Sequence, residues 1–237
     1  MADGIWVGMS GAVARAKQLE AVADNLANAQ TPGFKASHPA FETFLAGQDS
    51  QEPQLALTGA VSGGVDLRNG ATLVTNTATD VLPQDGTFLS VSLPDQTVGF
   101  TRDGRIVAND DGQLSIGGKP VRGSRGEHLQ VPPNSKLSFD SNGAVLADGV
   151  EVGRLATYRL AGPIERLTPS VIRPITEAGV LPAETRIKVG ELELSNSSPL
   201  EGAVAMISAQ RNFDTSMQAV QTYKRMDDRA NEIGRVR

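Results

Sequence analysis

Apolar residues recur at spacings of three and four at both ends of this chain, in strict alternation at the N-terminal end, and no other sequence feature constrains its fold as strongly. The N-terminal series is Ile5, Met9, Ala12, Ala16, Leu19, Ala23 and Leu26. The C-terminal series contains Met206, Ala209, Phe213, Met217, Val220 and Tyr223. Such spacings keep residues on one helix face and are typical of coiled coils. We therefore predict that two terminal helices pair as a coiled coil.

Both helices have recognisable ends in the sequence. The first is predicted over residues 4–28, ahead of Thr31-Pro32-Gly33, because proline disfavours helix in the residue before it and glycine permits a turn. The second is predicted to begin at Pro199, with a serine just before it as N-cap and Glu201 near the positive end of the helix dipole.

Between about residues 77 and 194 the apolar pattern changes to a period of two, which is typical of strands. Pairs such as Gly117-Gly118 and Asp148-Gly149 indicate turns, since they supply the positive φ angles of tight hairpins. The predicted strands are 88–93, 106–108, 113–116, 136–139 and 152–160. A hairpin-rich, mainly antiparallel β domain is expected.

The predicted fold class is α+β, with paired terminal coiled-coil helices flanking that β domain. We divide the chain into an N-terminal helix of an inner coiled-coil domain (1–33), an extended connector (34–76), the β domain (77–195) and the C-terminal helix of the inner domain (196–237). The connector is assigned from its glycines among Ser, Thr and Gln, a composition that lacks either periodicity.

The amino-acid composition argues against several classes of function. The chain has one Trp, two Tyr and seven Phe, so its core should consist mainly of Val, Leu, Ile and Ala. A net charge of −5 argues against a nucleic-acid partner, which requires a surplus of Lys and Arg. No apolar run approaches the roughly 18–20 residues that span a bilayer, so we expect no membrane insertion.

Export through a cleaved signal peptide is not expected either. Asp3 precedes any basic residue, and Arg15 and Lys17 interrupt the apolar stretch that a signal peptide needs. The chain has no cysteine, so disulfides and thiolate metal sites are excluded.

Motifs for catalysis or cofactor binding are weak. Gly118-Lys119 is followed by Pro120, which breaks a phosphate-loop pattern. The Asp- and Asn-rich stretches 109–112 and 140–143 are interpreted as hairpin turns rather than calcium loops. His38 and His128 lie in unlike segments without nearby Cys or clustered carboxylates. We therefore expect no enzyme, no cofactor and no metal, although a carboxylate pair could still meet in three dimensions.

The small residues in the helical series limit how much free energy the terminal helices gain when they form. The large residues of the series would contribute about 1.5–3 kcal/mol each if buried, whereas ordering the helix costs roughly 1 kcal/mol or more per residue in backbone entropy. We hypothesise that the termini are poorly ordered in an isolated chain and become helical on packing against neighbouring copies.

Motifs at both ends and in the middle of the chain resemble those of bacterial flagellar rod and hook proteins. Residues 5–36 resemble the family's N-terminal signature, 191–213 its C-terminal signature, and 100–104 with 111–114 its central β hairpin. The signature residues carried over are Asn25, Asn28, Thr31, Pro32, Gly33, Phe34, Asn196, Pro199, Glu201, Gln210 and Arg211. Within the family the chain most resembles proximal-rod members. It departs from the family pattern over residues 79–88, and a distal-rod subunit is the alternative.

The resemblance implies a structural subunit of the flagellar basal-body rod, exported by the flagellar type III apparatus without a cleaved signal peptide. Such subunits assemble axially in the periplasm and transmit motor torque. The implied partners are copies of the chain, other rod proteins, the export apparatus and surrounding ring proteins. The two helical series would form the assembly interface.

Two alternatives remain open in the sequence. The basic residues between 224 and 237 either meet acidic residues of neighbouring subunits or form a solvated face that complements the helix dipole. A secreted cell-wall-binding or hydrolytic module is a rival function, and the lack of an obvious Ser/His/Asp, metal or Glu site argues against it.

Overall fold

A computed structural model of the chain describes residues 2–38, 40–45, 56–61, 64–84 and 86–235. The chain divides into two compact units. The helical unit comprises Met1–Ala27, Ser37–Gly64 and Pro199–Arg237, and the β unit comprises Asn28–Ala36 and Val65–Ser198. The backbone therefore enters the β unit for nine residues after the first helix, returns to the helical unit, and enters the β unit a second time.

The helical unit contains α1 (Ala2–Ala27), β1 (Ala40–Leu45), β2 (Ala56–Val61) and α2 (Pro199–Arg235). Both predicted helices are confirmed, and α2 begins at Pro199 as expected. The strands β1 and β2 pair antiparallel, and β2 also contacts α1. The segment 34–76, predicted as an extended connector, thus carries a hairpin, and the four sequence-based domain boundaries remain a prediction.

The two helices contact each other in an antiparallel arrangement. A Cβ atom built on Gly8 would lie 3.1 Å from Val220 Cγ2. At the other end of α1, a Cβ atom on Gly202 would lie 3.3 Å from Leu26 Cδ1. Glycine at each of these points lets the helix backbones approach closely.

The prediction that the two terminal helices pair as a coiled coil was wrong. In a coiled coil, large apolar residues at the 4-3 positions insert as knobs between residues of the partner helix. Here Met9, Met217 and Tyr223 are 48%, 37% and 44% exposed, while the buried positions among the helical residues whose burial is described are Ala12, Ala14 and Ala209. The spacing reports which residues share a helix face, but alanines are too small to serve as knobs. The chain forms a close helix pair through small residues instead.

The β unit is built from short strands. They are β3 (Thr72–Val74), β4 (Val81–Pro83), β5 (Phe88–Ser92), β6 (Val98–Thr101), β7 (Val107–Ala108), β8 (Leu114–Ile116), β9 (Lys119–Pro120), β10 (Leu137–Phe139), β11 (Ala144–Ala147), β12 (Val150–Arg154), β13 (Thr157–Leu160), β14 (Ile164–Thr168), β15 (Val171–Pro174), β16 (Val180–Ala183), β17 (Ile187–Val189) and β18 (Glu191–Glu193). The largest sheet has the order β14-β15-β6-β5-β13-β16, with antiparallel neighbours throughout.

Hairpin turns occur at Gly117-Gly118, between β8 and β9, and at Asp148-Gly149, as predicted. Asp148 and Gly149, between β11 and β12, have φ angles of 51° and 85°. Positive φ at both central residues is the mark of a type I′ turn, whose twist matches that of the flanking strands. The stretch 152–160 differs from its prediction because it carries parts of two strands, β12 and β13, that lie in different sheets.

Two apolar clusters form the core of the β unit. The larger consists mainly of Val, Leu and Ile side chains, as the scarcity of aromatic residues predicted, and includes Val91, Val145 and Leu155. The smaller contains Phe88 and Phe100, and Phe100 packs edge-on against Tyr158 with ring centroids 5.4 Å apart. Packing in these clusters fixes the positions of β5 and β6. The backbone that follows β6 contributes charged residues to the site described next.

Candidate functional site

The end of the N-terminal signature, from Asn28 to Phe34, folds as a tight turn within the β unit. Thr31 N donates to Asn28 O at 3.0 Å, and Phe34 N donates to Thr31 O at 3.2 Å. Gly33 has a φ of 69° and donates its N–H to Glu193 O at 2.8 Å. A Cβ atom on Gly33 would lie 2.1 Å from Asp103 N, so only glycine fits there. The turn delivers the next two residues into the protein interior.

Phe34 and the carbonyl group that follows it are covered by one arginine. The Phe34 side chain is fully buried, and Arg166 Cζ lies 4.3 Å from the centre of its ring. Arg166 Nη2 also donates to Lys35 O. A cation over an aromatic face adds about 0.5–2 kcal/mol to the packing. Arg166 therefore clamps the signature from strand β14.

Three charged side chains meet beneath this turn, and we call them the ion triad: Lys35, Arg102 and Glu193. Lys35 Nζ lies 2.7 Å from Glu193 Oε1, and Arg102 Nε donates to Glu193 Oε2 at 2.8 Å. Each of the three side chains is at most 3% exposed. The Glu193 carboxylate thus bridges two cations from distant parts of the chain.

Backbone groups satisfy the remaining polar atoms of the triad. Lys35 Nζ donates to Arg68 O at 2.6 Å, and Gly70 N donates to Glu193 Oε1 at 3.0 Å. Arg102 also donates to Thr87 O. Buried charges are tolerated when their hydrogen-bonding capacity is filled in this way. The ion triad and its backbone partners therefore link segments that are remote in sequence, and we call this network the lock.

The pKa values of the triad follow from burial and charge. Burial lowers the pKa of Lys35, although the hydrogen bond and the charge of Glu193 act in the opposite direction. Burial alone would raise the pKa of Glu193, but the Arg102 charge and the Lys35 hydrogen bond outweigh it, so the pKa lies below its ordinary value. Glu193 is therefore ionised at neutral pH.

Asn196 of the C-terminal signature completes the lock. Its Oδ1 accepts from Ala36 N at 2.7 Å, and its Nδ2 donates to Asp66 O at 2.9 Å. Asp66 N in turn donates to Ala36 O at 2.8 Å. One asparagine therefore joins the end of the N-terminal signature to the chain that re-enters the β unit.

Asn25 plays a similar part inside the helical unit. Its Nδ2 donates to Ser37 O and its Oδ1 accepts from Ser37 N, both at 2.9 Å. Asn28 Oδ1 accepts from Thr31 Oγ1 at 3.2 Å, and Pro32 follows in the same turn. The signature asparagines thus tie the end of α1 to the backbone that follows it.

The remaining predicted residues lie on the helices. Ala12 and Ala209 are buried. Half-buried positions are Ala16, Leu19, Ala23, Leu26, Met206, Phe213 and Val220. Exposed positions include Glu201, Gln210 and Arg211, and the Ile5 side chain lies outside those described. Their assignment as an assembly interface remains a prediction.

Sequence reasoning did not single out Lys35, Arg102, Glu193 or Arg166 as site residues. Lys35 and Arg102 stand inside motifs that carried the family resemblance, and each adjoins a buried residue, Phe34 and Thr101. Glu193 likewise lies in the C-terminal signature segment 191–213. The sequence did not indicate that Glu193 is the common partner of the two cations, because it is 158 positions from Lys35.

Other chemistry is sparse in the described part of the chain. No group of three His, Cys, Asp or Glu side chains there is placed to hold a metal ion. Among the described helices, none combines the length and apolar character needed to cross a membrane. His128 shares a hydrogen bond with Ser92, with Nε2 and Oγ 2.8 Å apart.

The two terminal regions that contain Lys35 and Glu193 each match a known protein family. Residues 5–35 match the family described as flagella basal body rod protein. Residues 188–233 match the family described as flagellar basal body rod FlgEFG protein, C-terminal. Lys35 falls in the first match and Glu193 in the second. The chain belongs to the flagellar basal-body rod protein family.

Full-length relatives carry rod-protein names. The chain is 31% identical to flagellar basal-body rod protein FlgF of Salmonella typhimurium over 98% of each chain. It is 29% identical to FlgF of Escherichia coli over the same shares. It is 27% identical to flagellar basal-body rod protein FlgG of Borreliella burgdorferi, over 99% of this chain and 100% of that protein. The resemblance inferred from the terminal signatures is confirmed.

Proposed function

We propose that this chain is a structural, non-catalytic subunit of the bacterial flagellar basal-body rod that assembles with copies of itself and with other rod proteins. The observation that carries the proposal is similarity to a named rod protein over 98% of both chains. Its location would be the basal body. Axial assembly and transmission of torque follow from that role.

The proximal-rod assignment is favoured over the distal one by identity. FlgF relatives from Salmonella and Escherichia coli are 31% and 29% identical to the chain. FlgG relatives from Borreliella burgdorferi and Buchnera aphidicola are 27% and 24% identical, also at nearly full length. We therefore propose the FlgF role, with the FlgG role as second candidate.

Exposed apolar side chains on α2 support an assembly surface on the helical unit. Leu200, Val204 and Ile207 are 77%, 60% and 55% exposed, and their spacing of four and three places them on one helix face. Contiguous exposed apolar surface on a folded protein commonly marks a contact with another protein. We name these three residues the α2 patch and propose that it contacts a neighbouring subunit, together with the exposed members of the predicted series.

A charge placed in the α2 patch tests this proposal. Val204→Glu should abolish motility and rod completion, because a carboxylate would be buried at a subunit contact. The isolated variant should have the same circular dichroism spectrum as the unsubstituted chain, since Val204 is exposed in the single chain. Gln218→Glu introduces the same charge at another exposed position of α2 and is the matched control.

Complementation of a strain that lacks the subunit, with export scored in the culture medium and rods imaged in purified basal bodies, separates the outcomes. Exported Val204→Glu protein without completed rods supports the proposal. Normal rods and motility with Val204→Glu would contradict the assembly role of the patch.

A further inference from the structure

A cleft in the β unit has a lining that differs from the acidic character of the chain as a whole. It has a volume of about 450 Å³ and lies between the tip of the β5–β6 hairpin and the segment that carries β9. Its polar lining consists of Ser92, Gln96, Lys119, Arg122 and His128. We call it the β9 cleft. Three of these side chains carry or can carry positive charge, whereas the whole chain has a net charge of −5.

Within the part of the chain that the structure describes, the side chains of Lys119 and Arg122, the two permanent cations of the β9 cleft, have no partner. Neither Lys119 nor Arg122 forms a side-chain hydrogen bond or ion pair with another residue in the described ranges, and both are half-buried. Carboxylates are equally absent from the lining among the described residues. Half-buried cations without partners favour an external anion, because partial burial weakens the competition from water.

The adjoining cleft differs in this respect. It has a volume of about 530 Å³ and shares Gln96 and Arg122 with the β9 cleft. Its own arginine, Arg173, is already neutralised by Glu165, with Nη2 and Oε1 2.6 Å apart. Of the two clefts, the β9 cleft therefore has the stronger positive electrostatic potential and attracts an anion more strongly.

The walls of the β9 cleft are held by backbone contacts. Val121 pairs with Val91 and Arg122 with His128 as β-bridges, and Arg122 N donates to Ser90 O at 3.0 Å. Lys119 lies in β9, which pairs with β8. The basic side chains thus project from a strand framework rather than from a loose loop, which reduces the ordering cost of binding.

Backbone strain at Gln96 is a further feature of the cleft. Its φ angle is 63°, a left-handed conformation that glycine or asparagine adopts more readily. Gln96 N donates to Leu93 O at 2.9 Å, so the residue closes the turn of the hairpin. Strained non-glycine residues cluster at binding sites. Gln96 lines both clefts.

Asp95, next to Gln96 in the turn, does not neutralise the cleft from its own hairpin. Its Oδ1 accepts hydrogen bonds from Thr97 Oγ1 at 2.7 Å and from Thr97 N at 3.2 Å. The carboxylate is thereby engaged in capping the turn, and it is not part of the cleft lining.

From this geometry we infer that the β9 cleft binds a small oxyanion, a carboxylate or a phosphate group, through Arg122 and Lys119. Arg122 supplies a planar fork that matches either group, Lys119 supplies a second positive charge, and the Gln96 amide supplies a neutral donor. This site is independent of the rod-subunit role, since it lies in the β unit and involves no residue of either helix.

The test uses the full-length, isotopically labelled chain titrated with sodium phosphate and, separately, with sodium succinate at constant ionic strength. Backbone amide signals of Gly118, Arg122 and His128 should shift and saturate with at least one probe, and the probe that saturates identifies the chemistry. Arg122→Gln and Lys119→Gln should each raise the Kd about tenfold or more.

Arg125→Gln is the matched control, because Arg125 is an exposed arginine nearby that does not line the β9 cleft. It should leave the Kd unchanged, and amide signals distant from the cleft should confirm that every variant is folded. Linear shifts with both probes, shifts reproduced by sodium chloride, or an equal loss in Arg125→Gln would each overturn the proposal.

Discussion

The helical unit and the β unit place their apolar side chains in opposite ways. In the β unit, Val91, Val145 and Leu155 are completely buried. In the helical unit, Gly8 and Gly202 lie close to Val220 and Leu26 of the facing helix, while Leu200 and Val204 are 77% and 60% exposed. The β unit is therefore stabilised by apolar contacts within the chain. The helical unit leaves large apolar side chains exposed, and we propose that these contact neighbouring subunits.

The burial of ion pairs also differs between the two units. Lys17 and Glu20 on α1 form an ion pair with both side chains more than half exposed. The ion triad of the β unit is almost completely buried. Exposed pairs contribute at most about 1 kcal/mol, whereas removal of one member of a buried pair costs about 3–5 kcal/mol. Substitutions of similar chemistry should therefore have very different effects in different places.

The largest effect is expected from the carboxylate of the triad. Glu193→Gln keeps the shape of the side chain but leaves two buried cations without a counter-charge, so the free energy of unfolding should fall by about 3–5 kcal/mol. Urea denaturation followed by circular dichroism measures this loss. Glu184→Gln, which removes the carboxylate of an exposed pair with Arg186, should change stability by less than about 1 kcal/mol. Equal losses in the two variants would show that burial of the triad is unimportant.

The next largest effect is expected at Gly33. Gly33→Ala places a Cβ atom 2.1 Å from Asp103 N at a φ of 69°, which should cost about 2–4 kcal/mol through overpacking and backbone strain. Gly117→Ala is the control, because Gly117 has a φ of 55° but open space where the Cβ would lie. It should lose only about 1–2 kcal/mol. Thermal unfolding of both variants compares them, and similar melting temperatures would refute the close approach at Gly33.

Valine truncations compare the two units directly. Val145→Ala removes a completely buried side chain and should cost about 2 kcal/mol in the isolated chain. Val204→Ala removes one that is 60% exposed and should cost no more than about 0.5 kcal/mol. Urea titrations of the two purified variants measure the difference. A loss at Val204 as large as that at Val145 would mean that the helical unit buries this face within a single chain.

Acid should weaken the β unit by a smaller, graded amount. Because the pKa of Glu193 is lowered on folding, its contribution is complete at neutral pH and is lost as the pH falls from about 4.3, the ordinary glutamate value, towards the folded pKa. One proton changes the free energy of unfolding by at most about 1.4 kcal/mol per pH unit. Unfolding measured between pH 3 and 7 should show a steeper decline in the native chain than in Glu193→Gln. Parallel curves would contradict a lowered pKa.

Local features of the fold were predictable because they depend on neighbouring residues. Thr31-Pro32-Gly33 indicated the end of α1, and Asp148-Gly149 indicated a hairpin with the φ angles it requires. The order of the large sheet was not predictable, since β6 lies between β5 and β15, which are far apart in the chain. Pairing across such distances depends on three-dimensional packing that periodicity does not encode.

The candidate site was predictable only in part, for a similar reason. The motifs marked Gly33, Phe34 and Asn196, and all three lie in the lock. The ion triad joins residues from three segments, and each lysine, arginine or glutamate viewed alone would be assigned to the surface. The coiled-coil prediction failed for a different reason, because spacing was taken as proof of a packing mode that also depends on side-chain size.

The backbone passes between the two units near residues 28, 36, 65 and 198. Hydrogen bonds join the segments at three of these crossings, since Ala36, Asp66 and Asn196 contact one another and Lys35 reaches Arg68. A pulling force that separates these segments would therefore have to break several hydrogen bonds together rather than one at a time. Insertions at turns such as Asp148-Gly149 would lengthen a hairpin of the β unit without altering any of these bonds.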